Sequence, residues 1–419
     1  MKVVYIIPGA GDSFYCGNCF RDNLQASALR KMGHDVIIMP LYLPLKNEAF
    51  KTNSPLFFPA TTYFVAQKFF QKMTMPNWMK RLLGTDSMLS FASSMSGTTS
   101  AKGMEKMTMS MIEGDNPAFL KEVKQLTEWL KYEKPDVVHI STSLLIGIAK
   151  AIKTEINIPV VCSLLDEEVW IDSMKESYID MAWKAIGQNL QYVDKLTTVS
   201  NYYKDYAQTK VPEIKHLEVI YPGIDLDVYK PGAQVENPTI GFFYRLNKKN
   251  GLDILAKAFV CLKKKNTIPN LKLKIGGGFT SQDKSFINKV KKILAAYIDD
   301  VEFVNSYSMS DHIEFYQSIS VLSVPLTFNE GISVYTCEAL ACGIPSVEPK
   351  TGAFPEVIEN GGVLYEPNNS DELCNALEYL LENKDRYDQA AKNARNRAIQ
   401  LFDDKYMAQK LLTIYESIQ

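Results

Sequence analysis

Pro325-Leu-Thr-Phe-Asn-Glu-Gly-Ile-Ser-Val-Tyr-Thr-Cys-Glu-Ala-Leu-Ala-Cys-Gly-Ile-Pro345 is the stretch from which the rest of the chain can be read. The apolar run Ile319 to Val324 feeds it, a polar loop follows, and an alanine-rich segment then runs up to Gly343 and Pro345. A C′ glycine followed by a proline stops a helix, so the predicted order is strand, loop, helix. Glu330 and Glu338 lie eight residues apart, which on a helix separates them by roughly 80° and lets both face one site. Between them Gly331, Ile332 and Ser333 would present backbone N–H groups at a helix start, where the dipole favours a phosphate. Two carboxylates flanking an anion cradle suit a ligand with both hydroxyls and phosphates, such as a nucleotide sugar.

At 419 residues the chain is too long for one ordinary core, and two domains of about 200 residues are expected. Hydrophobic content of 46% and charged content of 22% are those of a folded soluble protein. A net charge of -2 gives no basic face for nucleic acid, so no nucleic-acid partner is expected. The N-terminus passes from Met1-Lys2 into Val3-Val4-Tyr5-Ile6-Ile7, too short for a signal sequence. No window approaches 18 apolar residues, so no membrane-spanning helix and a cytoplasmic location are expected. The seven cysteines are scattered and odd in number, as in a protein with reduced thiols. Cys16 and Cys19 form a CxxC, the spacing of a redox pair or half a zinc site. No second CxxC follows, and His34, His139, His216 and His312 have no ligand spacing with it. Structural cysteines and no metal are the expectation.

The chain opens as strand (residues 2–8), loop (Gly9 to Asn18), helix (Cys19 to Met32) and strand (Asp35 to Met39), the start of a doubly wound parallel sheet. Residues 41–118 break this alternation. Within them, 57–83 interleave aromatics and methionines with Lys68, Lys72, Lys80 and Arg81. Such a segment fits peripheral contact with a membrane face or an acceptor groove, and equally helices packed on their own domain. Alternating strands and helices resume from residue 120 to about 225, and Tyr221-Pro222-Gly223 and Tyr229-Lys-Pro-Gly232 are the turn signals of a hinge. A second alternation starts at Thr239 to Tyr244, and the last helices are expected from about Asp371 through Arg397 and from Tyr406 to Tyr415.

These residues resemble the retaining nucleotide-sugar glycosyltransferases of the GT-B fold, the group 1, family-4 class. The resemblance rests on Pro325, Glu330-Gly331, Glu338, Ala339, Ala341, Gly343 and Pro345, in an order supported by Gly33-His34-Asp35-Val36, Pro135-Asp136-Val137-Val138-His139, Pro222-Gly223-Ile224-Asp225, Gly251-Leu252-Asp253 and Gly352-Ala-Phe-Pro-Glu356. It implies an α/β protein with two Rossmann-like doubly wound parallel-sheet domains facing a cleft. The expected division is 1–228, completed by the C-terminal helix 403–419, against 229–402. It implies a sugar transfer from a UDP- or GDP-linked donor to a saccharide or glycolipid acceptor, with no cofactor and no metal. Glu338 would accept hydrogen bonds from ribose hydroxyls and Glu330 from the transferred sugar. The amides of Gly331, Ile332, Ser333 and Val334 would hold the distal phosphate, and Arg245 would offset charge on the departing diphosphate.

The chain departs from the family pattern in three places. Asn250 stands where the family has a lysine, so the second cation is expected from Lys249 or Lys248. In the first loop only Gly17 matches the paired glycines that let backbone approach the phosphates. Ser141 stands where many members have a second histidine after His139, which leaves His139 and Ser141 as candidates for the acceptor and sugar side, with His139 read first as a structural strand-end residue. Two other readings stay open. One is a nucleotide-sugar epimerase of the same fold drawing acid and base groups from His139, Asp166, Glu167 and Glu168; the other is a non-catalytic nucleotide-sugar-binding subunit.

Overall fold

A computed structural model describes residues 1–8, 17–41, 101–115, 120–233, 235–304 and 309–419. The Cys16–Cys19 pair as a unit, most of the first loop and the amphipathic segment 57–83 fall outside the described residues. The chain divides into two compact units, one made of 1–199, 203–220 and 408–419, the other of 200–202 and 221–407.

The first unit is built on six parallel strands: β1 (Lys2–Ile7), β2 (Asp35–Pro40), β3 (Val137–Ile140), β4 (Val160–Leu164), β5 (Lys195–Thr198) and β6 (Glu218–Val219), in spatial order β2-β1-β3-β4-β5-β6. Every residue of β3 and β4 is buried, as continuous apolar runs in a covered parallel sheet should be. Helix α1 (Gly17–Lys31) begins at Gly17 and connects β1 to β2. The second unit repeats the plan with β7 (Thr239–Phe243), β8 (Lys272–Gly276), β9 (Val301–Phe303), β10 (Val321–Leu322), β11 (Ser346–Pro349) and β12 (Gly362–Tyr365), in order β12-β11-β10-β7-β8-β9 and all parallel. The expected pair of doubly wound α/β sheets is therefore present. Among its helices are α2 (Leu252–Lys265), α3 (Val334–Ala341), α4 (Ser370–Leu381) and α5 (Lys384–Leu401), and α6 (Asp404–Glu416) closes the chain.

Several details differ from the sequence reading. The strand feeding the key stretch is Val321–Leu322 alone, because Ser320 and Ser323 flank a short ladder and the chain turns off at Pro325. β12 was not expected, since four residues on a half-exposed edge carry no alternating pattern. The helical stretch after Asp371 is two helices, the second capped by Asn383, whose Oδ1 accepts from the Arg386 N–H. The Ile224 N–H donates to the Phe402 carbonyl, which holds the Pro222-Gly223 turn within the second unit. The expectation of uniformly reduced cysteines is corrected for one pair. Cys261 on α2 and Cys374 on α4, 113 residues apart, form a disulfide, brought together by the packing of those two helices.

Candidate functional site

In an open α/β sheet, ligands bind outside the carboxyl ends of the strands where the strand order reverses. In the second unit that point lies between β7 and β10, which pair directly although the chain visits β8 and β9 between them. The two loops leaving there are bound to each other: the Thr327 N–H and Oγ1 both donate to the Lys249 carbonyl, at 2.9 and 3.0 Å. Arg245, Lys248 and Lys249 thus share one end of the sheet with the loop that carries Glu330.

Arg245 follows β7 and is 6% exposed. Its Nε and Nη2 donate to Asp283 Oδ2 at 3.3 and 3.2 Å, and Nη2 donates to Thr280 Oγ1 at 3.2 Å. The Leu246 N–H donates to the Gly278 carbonyl at 2.7 Å, which straps this loop to the one after β8. Asn250 is buried, and its Nδ2 donates to the Arg245 carbonyl at 2.7 Å. Where a lysine was expected, the asparagine closes the turn, and Lys248 and Lys249 are the exposed cations beside it.

Glu330 accepts from the hydroxyls of Tyr244 (2.9 Å) and Tyr335 (2.8 Å), and its carbonyl accepts from the Ala353 N–H at 3.0 Å. Helix α3 starts at Val334 with Ser333 as its N-cap, and no side-chain cap bond is made. Ser333 and Val334 stand at the helix start, where the first amides have no intrahelical acceptor, while Gly331 and Ile332 precede it, and the Gly331 carbonyl accepts from Ser200 Oγ at 2.6 Å. Gly343, at φ 72°, terminates the helix as its left-handed C′ residue.

The reading that puts Glu330 and Glu338 on one helical face is corrected, because Glu330 precedes the helix. Glu338 has no exposed surface and accepts from Tyr229 Oη at 3.0 Å and Tyr316 Oη at 2.6 Å. Burial pushes its carboxyl up to about 7, against the pull of the two tyrosine hydroxyls. Sequence reasoning missed a third carboxyl: Glu348 of β11 is fully buried and accepts from the Val324 N–H and Ser346 Oγ, and burial raises it well above the carboxylate range. An acidic residue within a buried parallel strand was its only signal. Asp283 was missed as well, although Thr280-Ser-Gln-Asp283 has the spacing of a capping box, and both halves of one are present.

In the first unit, His139 and Ser141 are both buried. The His139 ring bonds Tyr415 Oη through Nδ1 and Ser163 Oγ through Nε2, and stacks on Tyr5. Burial, with Arg21 second, lowers it to about 3, so the ring is a neutral strut rather than a base. The Ser141 carbonyl accepts from Arg21 Nη2 at 3.1 Å, and Arg21 is itself ion-paired with buried Asp22. Glu167 is buried under donors from Ser143 N–H, Thr142 Oγ1, Leu165 N–H and Tyr203 Oη. Beside it the partly exposed Glu168 is raised to about 8, by burial and then by Asp166. Among the described residues no group of three or more His, Cys, Asp or Glu is arranged to hold a metal ion, and no helix is long and apolar enough to cross a membrane.

Residues 225–397 match the family described as "Glycosyl transferases group 1", and residues 109–228 match "Glycosyltransferase Family 4". A D-inositol 3-phosphate glycosyltransferase of Corynebacterium aurimucosum is 26% identical over 189 residues, 41% of this chain and 44% of that protein. The alignments with the first curated relatives span 44 to 65% of those proteins' lengths. Among solved structures, sucrose-phosphate synthase from Thermosynechococcus elongatus superposes with a TM-score of 0.74 at 16% identity, over 100% of this chain and 99% of that one. The Anabaena protein HepE, in complex with UDP and glucose, superposes at 0.68 and 16% identity over the whole of both chains. At such identities the structural likeness shows the fold. Together with two adjoining family matches that run from residue 109 to 397 and the motif around Glu330 and Glu338, it shows that the chain belongs to the group 1 glycosyltransferase family.

Proposed function

We propose that the protein transfers a sugar from a nucleoside diphosphate sugar to a saccharide or lipid-linked saccharide acceptor, with retention at the anomeric carbon and without a metal ion. The observation that carries this reading is the convergence at the β7/β10 switch point of a buried, pre-set arginine, two exposed lysines and a helix start. Positive charge and a helix start held in place before the ligand arrives stabilise charge that builds on a leaving group.

In this reading Arg245 meets the diphosphate, with Lys248 or Lys249 as the second cation and the Gly331 to Val334 amides on the distal phosphate. Glu330 accepts from hydroxyls of the transferred sugar while Tyr244 and Tyr335 hold its carboxylate in place. Glu338 supports α3 from inside the unit; a ribose contact through it would require Tyr229 or Tyr316 to give way. The bond from the anomeric carbon to the phosphate oxygen breaks as the acceptor oxygen bonds to the same face, and the acceptor proton passes to the departing phosphate oxygen. No protein nucleophile takes part. HepE crystallised with UDP and glucose supports the donor class by analogy alone.

The test is incubation of the pure protein with UDP- and GDP-linked sugars, with and without oligosaccharide acceptors and with a chelator present. Free nucleoside diphosphate that increases with acceptor and survives chelation is expected. An isomerised sugar without release would instead mean an epimerase, and binding without either product a non-catalytic subunit.

A further inference from the structure

We propose that Asp283 is a positioning residue that sets how tightly Arg245 holds a diphosphate, and that it keeps the spent nucleotide releasable. The proposal rests on the transferase reading above. Asp283 Oδ2 gathers four donors: Arg245 Nε and Nη2 at 3.3 and 3.2 Å, the Thr280 N–H at 2.9 Å and Thr280 Oγ1 at 2.8 Å. The ion pair is nearly dry, with side-chain exposures of 8% for Arg245 and 12% for Asp283. At such a site charges interact more strongly than on a wet surface.

Two consequences follow from one carboxylate. Its fork of contacts fixes the plane and reach of the guanidinium, so the arginine is oriented before any ligand arrives. Its negative charge also stands close to wherever Arg245 meets phosphate, so it opposes each anion in proportion to that anion's charge. A free nucleoside diphosphate ends in a phosphate carrying about −1.5 to −2 charges at pH 7, more than the same group carries once a sugar esterifies it. Asp283 therefore weakens the product more than the donor, and a site without it would be slow to empty.

The experiment measures dissociation constants by calorimetry for UDP, GDP, ADP and their glucose conjugates, on the full-length wild type, Asp283→Asn and Thr280→Val. Asparagine keeps an acceptor oxygen for the Thr280 N–H and removes the charge. Valine cuts the hydroxyl contacts and keeps the charge. For the diphosphate that the wild type binds, Asp283→Asn is expected to tighten product binding about tenfold and donor binding about threefold or less, as removing one nearby charge at intermediate dielectric allows. Thr280→Val should leave the product-to-donor affinity ratio within about twofold. Equal weakening of both ligands by Asp283→Asn, no change, or the same ratio shift in Thr280→Val would overturn the proposal and leave Asp283 as a cap alone. A wild type that binds none of the six nucleotides overturns the transferase reading itself, and this inference with it.

Discussion

The Cα of Gly251 lies so close to the Pro325 carbonyl that a Cβ there would stand 1.8 Å from the oxygen, and its φ of 75° lies in the left-handed region. This contact locks the loop after β7 to the loop after β10, and so fixes the distance between the Arg245 cations and the Glu330 loop. Gly251→Ala should cost several kcal/mol, since both overlap with backbone and an unfavourable φ must be relieved. Chemical denaturation of the variant against wild type measures the loss. A stability within about 0.5 kcal/mol of wild type would mean that the two loops are not rigidly coupled.

Tyr244 Oη donates to Glu330 Oε1 at 2.9 Å, and the Tyr244 and Tyr335 rings lie 4.7 Å apart. Tyr244→Phe keeps the ring contact and removes one of the two tyrosine donors holding the carboxylate. A hydrogen bond to a charged group contributes about 1.5–3 kcal/mol, so turnover should fall roughly 10- to 100-fold through kcat, with the fold retained. Steady-state kinetics checks this. A change confined to the acceptor KM would place Glu330 away from the transferred sugar.

Glu338 gives a pH signature. Its folded carboxyl is raised to about 7 by burial, whereas an unfolded glutamate titrates near 4.3. Between those values the folded state holds the proton more firmly, so this group's contribution to stability is greatest at low pH and is lost as pH rises through about 7. Glu338→Gln removes the ionisation, and relative to wild type should gain on the order of 2 kcal/mol on going from pH 5 to pH 8. Urea unfolding at both pH values measures it. A difference independent of pH would mean that burial does not raise the Glu338 carboxyl above its unfolded range.

The order of elements was legible in the sequence because parallel strands buried on both faces read as apolar runs, and Gly343 with Pro345 marks where α3 must stop. Arg245 was legible from its place just after such a run. What the sequence did not carry was the strand order, and with it the reason the segments after β7 and β10 meet. Nor could it show which way Glu338 points, because helical spacing places a side chain on a face only if the helix includes both residues. The role of Asn250 as a strut to the Arg245 carbonyl needed the fold of the turn, and that of Asp283 needed the contact across two loops.

The Cys261–Cys374 disulfide closes a 113-residue separation in the second unit. Constraining a loop of that order in the unfolded chain is worth about 4–5 kcal/mol by the chain-entropy account. Reduction should therefore lower the thermal midpoint, and thiol titration of the unreduced, denatured chain should find at least two fewer free thiols than its seven cysteines. Seven reactive thiols would show that α2 and α4 are joined by non-covalent contacts, among them their packing and the bonds of Lys265 Nζ to Glu378 and Asn375.

The central claim is that Arg245, held at the β7/β10 switch point, stabilises a departing diphosphate. The most direct measurement is acceptor-dependent nucleoside diphosphate release by wild type and Arg245→Ala, with folding of both verified by circular dichroism. Loss of one such preorganised donor should reduce kcat by about 100- to 1,000-fold, and kcat/KM by at least as much. Release by folded Arg245→Ala at the wild-type rate would contradict the account.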